Sequence, residues 1–177
     1  MKKLLILLFS ILISFNSYGK TVCVETDVQN IYGIFYLPNM TKPFTGKNLC
    51  KYEKGQNKTK GKIKDGKWND KWTSWYENGQ KSNEGNYKDG KWVGKTTWWH
   101  ENGQIRAEAN YNKDGKLDGR IPGWYENGQI EAVLNYKDGK YDGKTTWWYK
   151  NGQKKSEENF KDGKFHGKWT EWYENGQ

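Results

Sequence analysis

Aliphatic side chains are scarce in this chain of 177 residues beyond its N-terminal segment, and this scarcity limits the folds open to it. Hydrophobic residues make up only 33% of the sequence, which excludes a thick core of leucine, isoleucine and valine. Aromatic residues make up 16%, which separates the chain from a disordered polar polypeptide of similar hydropathy. The aromatic side chains must therefore supply most of the burial.

Residues that commonly carry catalysis are also few. The two histidines, His100 and His166, lie far apart in sequence and form no metal-ligand spacing such as His-Glu-x-x-His. No Gly-Lys-Ser/Thr phosphate loop occurs, and most aspartates precede a glycine, where they favour turns. We therefore predict a non-enzymatic protein with no catalytic residue, no metal site and no cofactor.

The one long apolar run lies at the N-terminus and is typical of a secretory signal. Lys2 and Lys3 precede an apolar stretch over residues 4–15, and Ser17 and Gly19 offer small residues for cleavage before Lys20. A membrane anchor is the alternative, but the run is shorter than the ~20 residues that cross a bilayer. We expect an exported chain, in the periplasm, at the cell surface or secreted, with no transmembrane span after signal removal.

Cys23 and Cys50 are the only cysteines. An even count in an exported chain favours a disulfide. Closing a loop of about 27 residues would stabilise the fold by about 3 kcal/mol in the chain-entropy model. Two unpaired buried thiols are the alternative, whereas a catalytic thiol lacks a nearby histidine.

Two short phrases recur every 24 residues through the rest of the chain. One 25-residue interval breaks the period, and the inserted Asn112 accounts for it. A fixed period in this range indicates a repeat architecture. The phrase Tyr-x-x-Gly-Gln, with histidine once in place of tyrosine, begins at Tyr52, Tyr76, His100, Tyr125, Tyr149 and Tyr173. The phrase Lys-Asp-Gly-Lys begins at Lys64, Lys88, Lys113, Lys137 and Lys161.

Most repeats contain one Asn-Gly and one Asp-Gly pair between runs of threonine, tryptophan and tyrosine. Such pairs favour two-residue type I′ turns, because both central residues of that turn need positive φ. We therefore predict an all-β fold, an elongated antiparallel meander of tandem 24-residue hairpins. The turns are expected at Asn78-Gly79, Asn102-Gly103, Asn127-Gly128, Asn151-Gly152, Asp65-Gly66, Asp89-Gly90, Asp114-Gly115, Asp138-Gly139 and Asp162-Gly163.

Two-residue turns throughout would define the register of the sheet. Aromatic residues would then face each other across the Asp-Gly turns, and such pairs stabilise a sheet by ~0.2 to 1 kcal/mol each. Asn112 is expected to form a local bulge. The predicted partners are Tyr87 with Trp92, Tyr136 with Tyr141, Phe160 with Phe165, Glu84 with Lys95, Glu157 with Lys168, and Gly85 with Gly94.

The sequence divides into three parts. Residues 1–19 form the signal peptide, residues 20–43 lack both phrases, and residues 44–177 contain about six repeats. The runs 21–25 and 31–37 are rich in β-forming residues. We expect residues 20–43 to form a small β cap that shields the first edge of the repeats.

The residue before the Tyr phrase is tryptophan in five repeats. Because two strands separate successive copies, these indoles should form a column with a spacing of about 10 Å. The column could be the core of a single-layer sheet or a row of exposed rings that binds a ligand. This Trp column consists of Trp75, Trp99, Trp124, Trp148 and Trp172.

Positive charge is concentrated around the Asp-Gly turns. The full chain carries +9, and removal of Lys2 and Lys3 leaves +7. This basic edge could attract anionic lipid headgroups, anionic polymers or acidic proteins, or could simply keep the sheet soluble. Nucleic acid is disfavoured for an exported protein. The basic edge comprises Lys88, Lys91, Lys95, Lys113, Lys116, Arg120, Lys137, Lys140, Lys144, Lys161, Lys164 and Lys168.

Six in-phase copies of these phrases, for example over residues 76–80 and 84–91, resemble the MORN repeat in its bacterial variant form. The resemblance covers residues 44–177 and implies hairpins stacked into a long, twisted sheet with a groove, acting in protein or lipid association. Two positions depart from the pattern. Asp70 stands where glycine is expected, and Lys51 stands where tryptophan is expected, so the first two units are expected to pack less regularly.

Three functional hypotheses remain from the sequence. The first is an exported scaffold that contacts a protein, an envelope component or another anionic surface through an aromatic face and a basic edge. The second is a carbohydrate- or cell-wall-binding module that uses the Trp column to stack on sugar rings. The third is a toxin-neutralising, antitoxin-like partner protein, although export argues against an ordinary cytosolic antitoxin.

Overall fold

A computed structural model describes residues 19–177, so the predicted signal segment lies outside the described residues except for Gly19. This part of the chain forms one 14-stranded sheet and one two-stranded sheet. Its strands are β1 (Thr21–Val22), β2 (Gln29–Ile31), β3 (Ile34–Tyr36), β4 (Gly46–Lys51), β5 (Asn57–Lys64), β6 (Lys67–Trp75), β7 (Lys81–Lys88), β8 (Lys91–Trp99), β9 (Ile105–Tyr111), β10 (Gly119–Trp124), β11 (Ile130–Lys137), β12 (Lys140–Tyr141), β13 (Gly143–Trp148), β14 (Lys154–Lys161), β15 (Lys164–Phe165) and β16 (Thr170–Glu171).

The large sheet is a meander from β4 onward, in which each strand pairs antiparallel with its neighbours in sequence. The strand pair β12 and β13 follows β11 as one strand interrupted at Asp142, and β15 and β16 both pair with β14. The predicted fold class, an all-β meander of tandem hairpins, is confirmed. Among the described residues the structure contains no helix long and apolar enough to cross a bilayer.

The Asp-Gly turns have the predicted type I′ conformation at four of five places. Both central residues have positive φ, for example 51° at Asp89 and 82° at Gly90. Aspartate tolerates this left-handed region because its short side chain hydrogen-bonds locally. The aromatic pairs predicted across these turns are confirmed, since Tyr87 lies opposite Trp92, Tyr136 opposite Tyr141, and Phe160 opposite Phe165.

The Asn-Gly turns differ from the prediction. Only the glycine has positive φ, as at Gly79 with 83°. The amide of Gly79 donates to the carbonyl of Tyr76 at 3.0 Å, and the amide of Tyr76 donates to that of Gln80 at 2.8 Å. These are three-residue loops in which a type I turn is followed by a glycine bulge. Asn78 accepts a hydrogen bond from the Gln80 amide at 2.9 Å, and this side-chain turn stabilises the wider loop.

The register predicted farther from the Asp-Gly turns is wrong. Val93 lies opposite Asn86 and Thr97 opposite Glu84, so three residues of β8 face the single Gly85. Gly94 has φ of 68° at this bulge, which displaces Lys95 from Glu84 and Gly94 from Gly85. Glu157 likewise lies opposite Thr170 instead of Lys168.

The inserted residue Asn112 and the substituted residue Asp70 both lie where the backbone is irregular. Asn112 lies in a turn, where it converts the Asp114-Gly115 pair from the predicted two-residue turn into a three-residue loop closed at 2.9 Å between the Asn112 amide and the Lys116 carbonyl. Asp70 adopts φ of 63° at the position of the Gly94 bulge. Aspartate therefore replaces the expected glycine without loss of the local conformation.

The large sheet has two distinct faces, because cross-strand partners share a face and side chains alternate along each strand. The core face contains buried residues such as Ile63, Trp72, Thr96, Ala109 and Thr145. It also contains an aromatic stack with ring centroids 3.7 to 6.4 Å apart. The stack comprises Phe35, Trp68, Trp72, Tyr87, Trp92 and Tyr111, and then Tyr136, Tyr141, Phe160, Phe165 and Trp169.

Residues 20–43 close the start of the core face. β1 pairs parallel with the outer side of β4, and Val22, Phe35, Phe44 and Ile63 form a buried cluster. The Phe35 amide donates to the carbonyl of Gly66 at 2.9 Å. Cys23 and Cys50 form a disulfide with Cα atoms 4.6 Å apart. This segment is thus attached to the first repeat by a strand, an apolar cluster and a covalent bond.

Candidate functional site on the groove face

The Trp column lies on the face opposite the aromatic stack, which we call the groove face. Trp99 lies opposite Ile105 and Trp124 opposite Ile130, whereas Trp98, one position earlier, lies opposite Ala107 on the core face. All five indoles of the column are half-buried. The core therefore uses a different set of rings, and the Trp column retains accessible surface.

Tyrosine side chains position the column. The hydroxyl of Tyr52 donates to the carbonyl of Trp75 at 2.7 Å, and that of Tyr76 donates to the carbonyl of Trp99 at 2.8 Å. Tyr125 and Tyr149 repeat this bond to Trp148 and Trp172. Each tyrosine therefore ties its own unit to the tryptophan backbone of the next unit, which explains the invariant spacing of the two residues within this chain.

His100 replaces tyrosine once without breaking this series. Its Nε2 lies 2.7 Å from the carbonyl of Trp124, so imidazole occupies the place of the phenol. His166 is exposed and distant in sequence. In the range 19–177, no three side chains of the metal-ligating types His, Cys, Asp and Glu are grouped so that they could hold an ion.

Asparagines add a second connection between successive units at the Asn-Gly turns. Nδ2 of Asn78 donates to the carbonyl of Glu101 at 2.7 Å, and Nδ2 of Asn102 donates to that of Glu126 at 2.8 Å. Asn127 and Asn151 make the same contact in later units. These bonds link successive Asn-Gly loops into a regular row beside the Trp column, along one edge of the groove face.

Charged groups form a row parallel to the Trp column. Glu84 accepts from Lys71 at 3.1 Å, from Lys81 at 2.8 Å and from the hydroxyl of Thr73 at 3.1 Å. Burial raises the pKa of Glu84, but the hydrogen bonds from Lys81, Lys71 and Thr73 outweigh it, and the pKa lies below its ordinary value.

An equivalent cluster occurs three repeats later. Glu157 binds Lys144 at 2.7 Å and Lys154 at 3.0 Å, and these hydrogen bonds lower the pKa of the carboxyl group. Lys81 and Lys154 also place their ammonium groups 5.6 Å from the rings of Trp99 and Trp172. Cation–π attraction therefore links the charged row to the Trp column.

Cavities open along this face. One of about 530 Å³ is lined by side chains that include Leu49, Thr73, Trp75 and Glu84. A second of about 470 Å³ lies between Trp75, Lys81 and Trp99. The groove face is thus indented beside the column, and these volumes would accept side chains of a ligand.

The basic edge is exposed throughout, but the structure does not gather it into a single ladder. Lys95 and Lys144 lie on the groove face and bind Glu108 and Glu157 at 2.7 Å. Lys161 binds Asp142 at 3.3 Å. At the Asp-Gly turns the aliphatic stems of Lys91, Lys116 and Lys140 lie over Gly115, Gly139 and Gly163 of the following unit. These lysines therefore pack the turns together as well as carrying charge.

The sequence interpretation missed the residues between the column and the edge. Comparing positions one period apart reveals them, because Lys81, Ile105, Ile130 and Lys154 occupy one repeat position. The repeat position three residues later holds Glu84, Glu108, Val133 and Glu157. The first set lies beside the Trp column because its members pair with the column tryptophans across the three-residue Asn-Gly loops, whereas the predicted turns had two residues.

Comparisons with known proteins provide family membership and little else. No curated protein matches the chain. One solved structure, a mutant of S. aureus TarM in complex with fondaparinux, alpha-GlcNAc-glycerol and UDP, has 17% sequence identity and a TM-score of 0.33. The match covers 62% of this chain and 21% of that chain, and a TM-score this low does not show a shared fold or function.

The family comparison is decisive because it follows the repeats themselves. The model of the MORN repeat variant matches residues 71–89, 92–113, 114–138, 141–162 and 165–177, which is more than half of the chain. The matched units coincide with the hairpins that build the groove face. The chain therefore belongs to the MORN repeat variant family of repeat-type binding scaffolds.

Proposed function

We propose that this chain is an exported, non-enzymatic scaffold that binds a partner through the groove face, with the Trp column as the main contact. This proposal rests on one observation: the aromatic stack and the Trp column lie on opposite faces of the sheet. The aromatic stack and buried small residues build the core, so the indoles of the Trp column are not needed for it. Half-buried tryptophans that line a cavity, as Trp75 and Trp99 do, are typical binding anchors.

A protein or another anionic envelope component fits this face best. The exposed lysines at the Asp-Gly turns give the sheet a positive border, and the groove behind it offers apolar contact. A carbohydrate is the second candidate, because no lysine within residues 19–177 lies over the indoles of Trp75, Trp124 and Trp148. At Trp99 and Trp172 a lysine already lies over the ring, which disfavours sugar stacking there.

The chain offers matched control variants for a test. Residues 20–177 would be screened against soluble glycans, vesicles that contain phosphatidylglycerol, and peptides at low and high salt. Trp99→Ala and Trp148→Ala should weaken binding at least about tenfold if they are anchors. Trp98→Ala and Trp147→Ala remove the neighbouring indoles of the core face and should lower the melting temperature without loss of binding.

The salt response distinguishes the partner classes. Binding that is insensitive to salt and lost in Trp148→Ala would support the carbohydrate candidate. Binding that falls with salt and with Lys91→Glu and Lys116→Glu would support an anionic surface. Equal effects of Trp98→Ala and Trp99→Ala on binding, with both variants folded, would contradict the assignment to the groove face.

A further inference from the structure

One row of basic residues on the groove face is paired with glutamates by a constant geometry. Lys71 binds Glu84 at 3.1 Å, Lys95 binds Glu108 at 2.7 Å, and Lys144 binds Glu157 at 2.7 Å. In each pair the glutamate lies on the neighbouring strand, two positions along from the direct partner of the lysine, which is an asparagine. This diagonal distance is within reach of long side chains.

Arg120 occupies the same position but has no glutamate. Its direct partner is Asn135, and the diagonal neighbour on β11 is Val133. Arg120 is exposed, and it makes no ion pair within the described part of the chain. This repeat therefore has a cation at this place and lacks the carboxylate that neutralises the equivalent lysine in the other three units.

The surroundings of Arg120 are also more apolar than those of the paired lysines. Pro122 lies opposite Val133, where the other units place threonine opposite glutamate. Ile105 and Ile130 lie opposite Trp99 and Trp124, where the outer units place Lys81 and Lys154 opposite tryptophan. The centre of the groove face thus combines one unpaired guanidinium with an apolar patch, and both ends retain charge-paired clusters.

We propose that this central patch, formed by Arg120, Pro122, Val133, Ile130 and Trp124, is the docking site for an extended segment of a partner protein. The segment carries an aspartate or glutamate flanked by apolar side chains. A planar guanidinium binds a carboxylate in two parallel hydrogen bonds, and the missing glutamate leaves that geometry unoccupied by the chain itself. This assignment rests on the proposed function and specifies its partner.

Other ligand classes fit the patch less well. Trp124 is the one member of the patch with a ring on which a sugar could stack, whereas Ile130, Val133 and Pro122 offer aliphatic surface that packs against apolar side chains. An anionic bilayer is bound by several free cations together, whereas the lysines that flank the patch on this face are already paired. A single free cation within an apolar patch selects a single carboxylate.

Peptide display tests this assignment directly. A random peptide library would be selected on residues 20–177, and enriched peptides would be synthesised together with copies in which the acidic residue is changed to its amide. We expect enriched peptides to contain Asp or Glu beside Leu, Ile, Phe or Trp. Their amide copies should bind at least about tenfold more weakly.

Two variants and one control decide the outcome. Val133→Glu recreates the pairing found at Lys95 and Glu108, so it should fold and should reduce peptide affinity at least about tenfold; Arg120→Gln should do the same. Lys58→Gln removes a cation that is likewise paired, at 2.6 Å to Glu25, and that lies in the first repeat away from the patch, so it should leave the affinity unchanged.

The assignment is overturned if enriched peptides lack acidic residues, if none is enriched, or if Val133→Glu binds them as the unaltered chain does. It is also overturned if Arg120→Gln abolishes binding to phosphatidylglycerol vesicles but not to peptides. The proposed function fails separately, when Trp99→Ala leaves every binding activity of the chain unchanged.

Discussion

Trp72 and Trp75 are three residues apart on β6 and illustrate how the two faces of the sheet differ. Trp72 is 7% exposed, and a Cβ at Gly61 would lie 2.0 Å from its ring. Trp75 lies on the groove face, half-buried beside Lys81, with a cavity on either side. The same side chain thus fills the core on one face and remains available to a ligand on the other.

The difference arises from the opposing residues. Glycine, alanine and threonine on the core face let rings lie close to the backbone, as Gly61 and Gly85 do beneath Trp72 and Trp92. On the groove face, lysine, glutamate and isoleucine stand beside the indoles and hold the surface open. In a sheet of this kind, the size of the neighbours decides which rings form the core.

The largest expected effect comes from removing one ring on each face. Trp72→Ala should lower the free energy of unfolding by ~3–5 kcal/mol, because it removes a buried aromatic and leaves a cavity. Trp75→Ala should cost less than half as much, since its indole is less completely buried and its removal leaves no closed cavity. Denaturant unfolding of both variants measures the difference, and equal losses would show that the two faces contribute alike to the core.

A second prediction separates the faces by pH. Burial raises the pKa of Tyr87 to about 12 and also raises the pKa values of Tyr111 and Tyr136 on the core face. A raised tyrosine pKa contributes stability that is complete below the unfolded value of 10.0 and is lost as pH rises through the folded pKa. On the groove face the pKa values of Glu84 and Glu157 are lowered, so these groups contribute stability above pH 4.5, the ordinary pKa of glutamate. This contribution is lost as the pH falls through the folded pKa.

Melting temperature followed against pH measures both limbs. Tyr87→Phe should flatten the alkaline limb and leave the acid limb unchanged, and Glu84→Gln should do the reverse. Tyrosinate absorbance reports the same ionisation directly. If Tyr87→Phe changed only the acid limb, the assignment of the alkaline limb to the core face would be wrong.

The smallest expected effect concerns two threonines on opposite faces. The hydroxyl of Thr96 is buried on the core face without a hydrogen-bond partner among the described residues, so Thr96→Val should stabilise the protein by ~1 kcal/mol. Thr73 donates to Glu84 on the groove face at 3.1 Å, so Thr73→Val should destabilise it by ~1 kcal/mol. Shifts of the same sign in the two variants would remove this contrast between the faces.

Part of the fold followed from local chemistry. Asp89-Gly90 forms the predicted two-residue turn, and the period of 24 residues identified the hairpins. Asn78-Gly79 did not follow the same rule and forms the wider three-residue loop. Lys54-Gly55 in the first repeat forms the same loop without an asparagine, so the dipeptide alone does not determine the turn type.

The candidate site was predicted only in outline. The Trp column was identified as a set, but its face and exposure depend on which rings the core uses. The glutamate partners were assigned to the wrong lysines, since a bulge at Gly94 shifts the register of the strand that follows it. The patch around Arg120 was missed because only the diagonal pairing of the other units shows that its glutamate is absent.

The sequence by itself determined the period, the all-β class and the aromatic pairs beside the Asp-Gly turns, because these depend on residues within one hairpin and on the φ values that Asp and Gly accept. Only the tertiary structure decided which indoles are buried, which lysines are paired and where an unpaired cation lies. Those properties depend on contacts between successive units, and the bulges set these contacts by moving every later side chain relative to its neighbours.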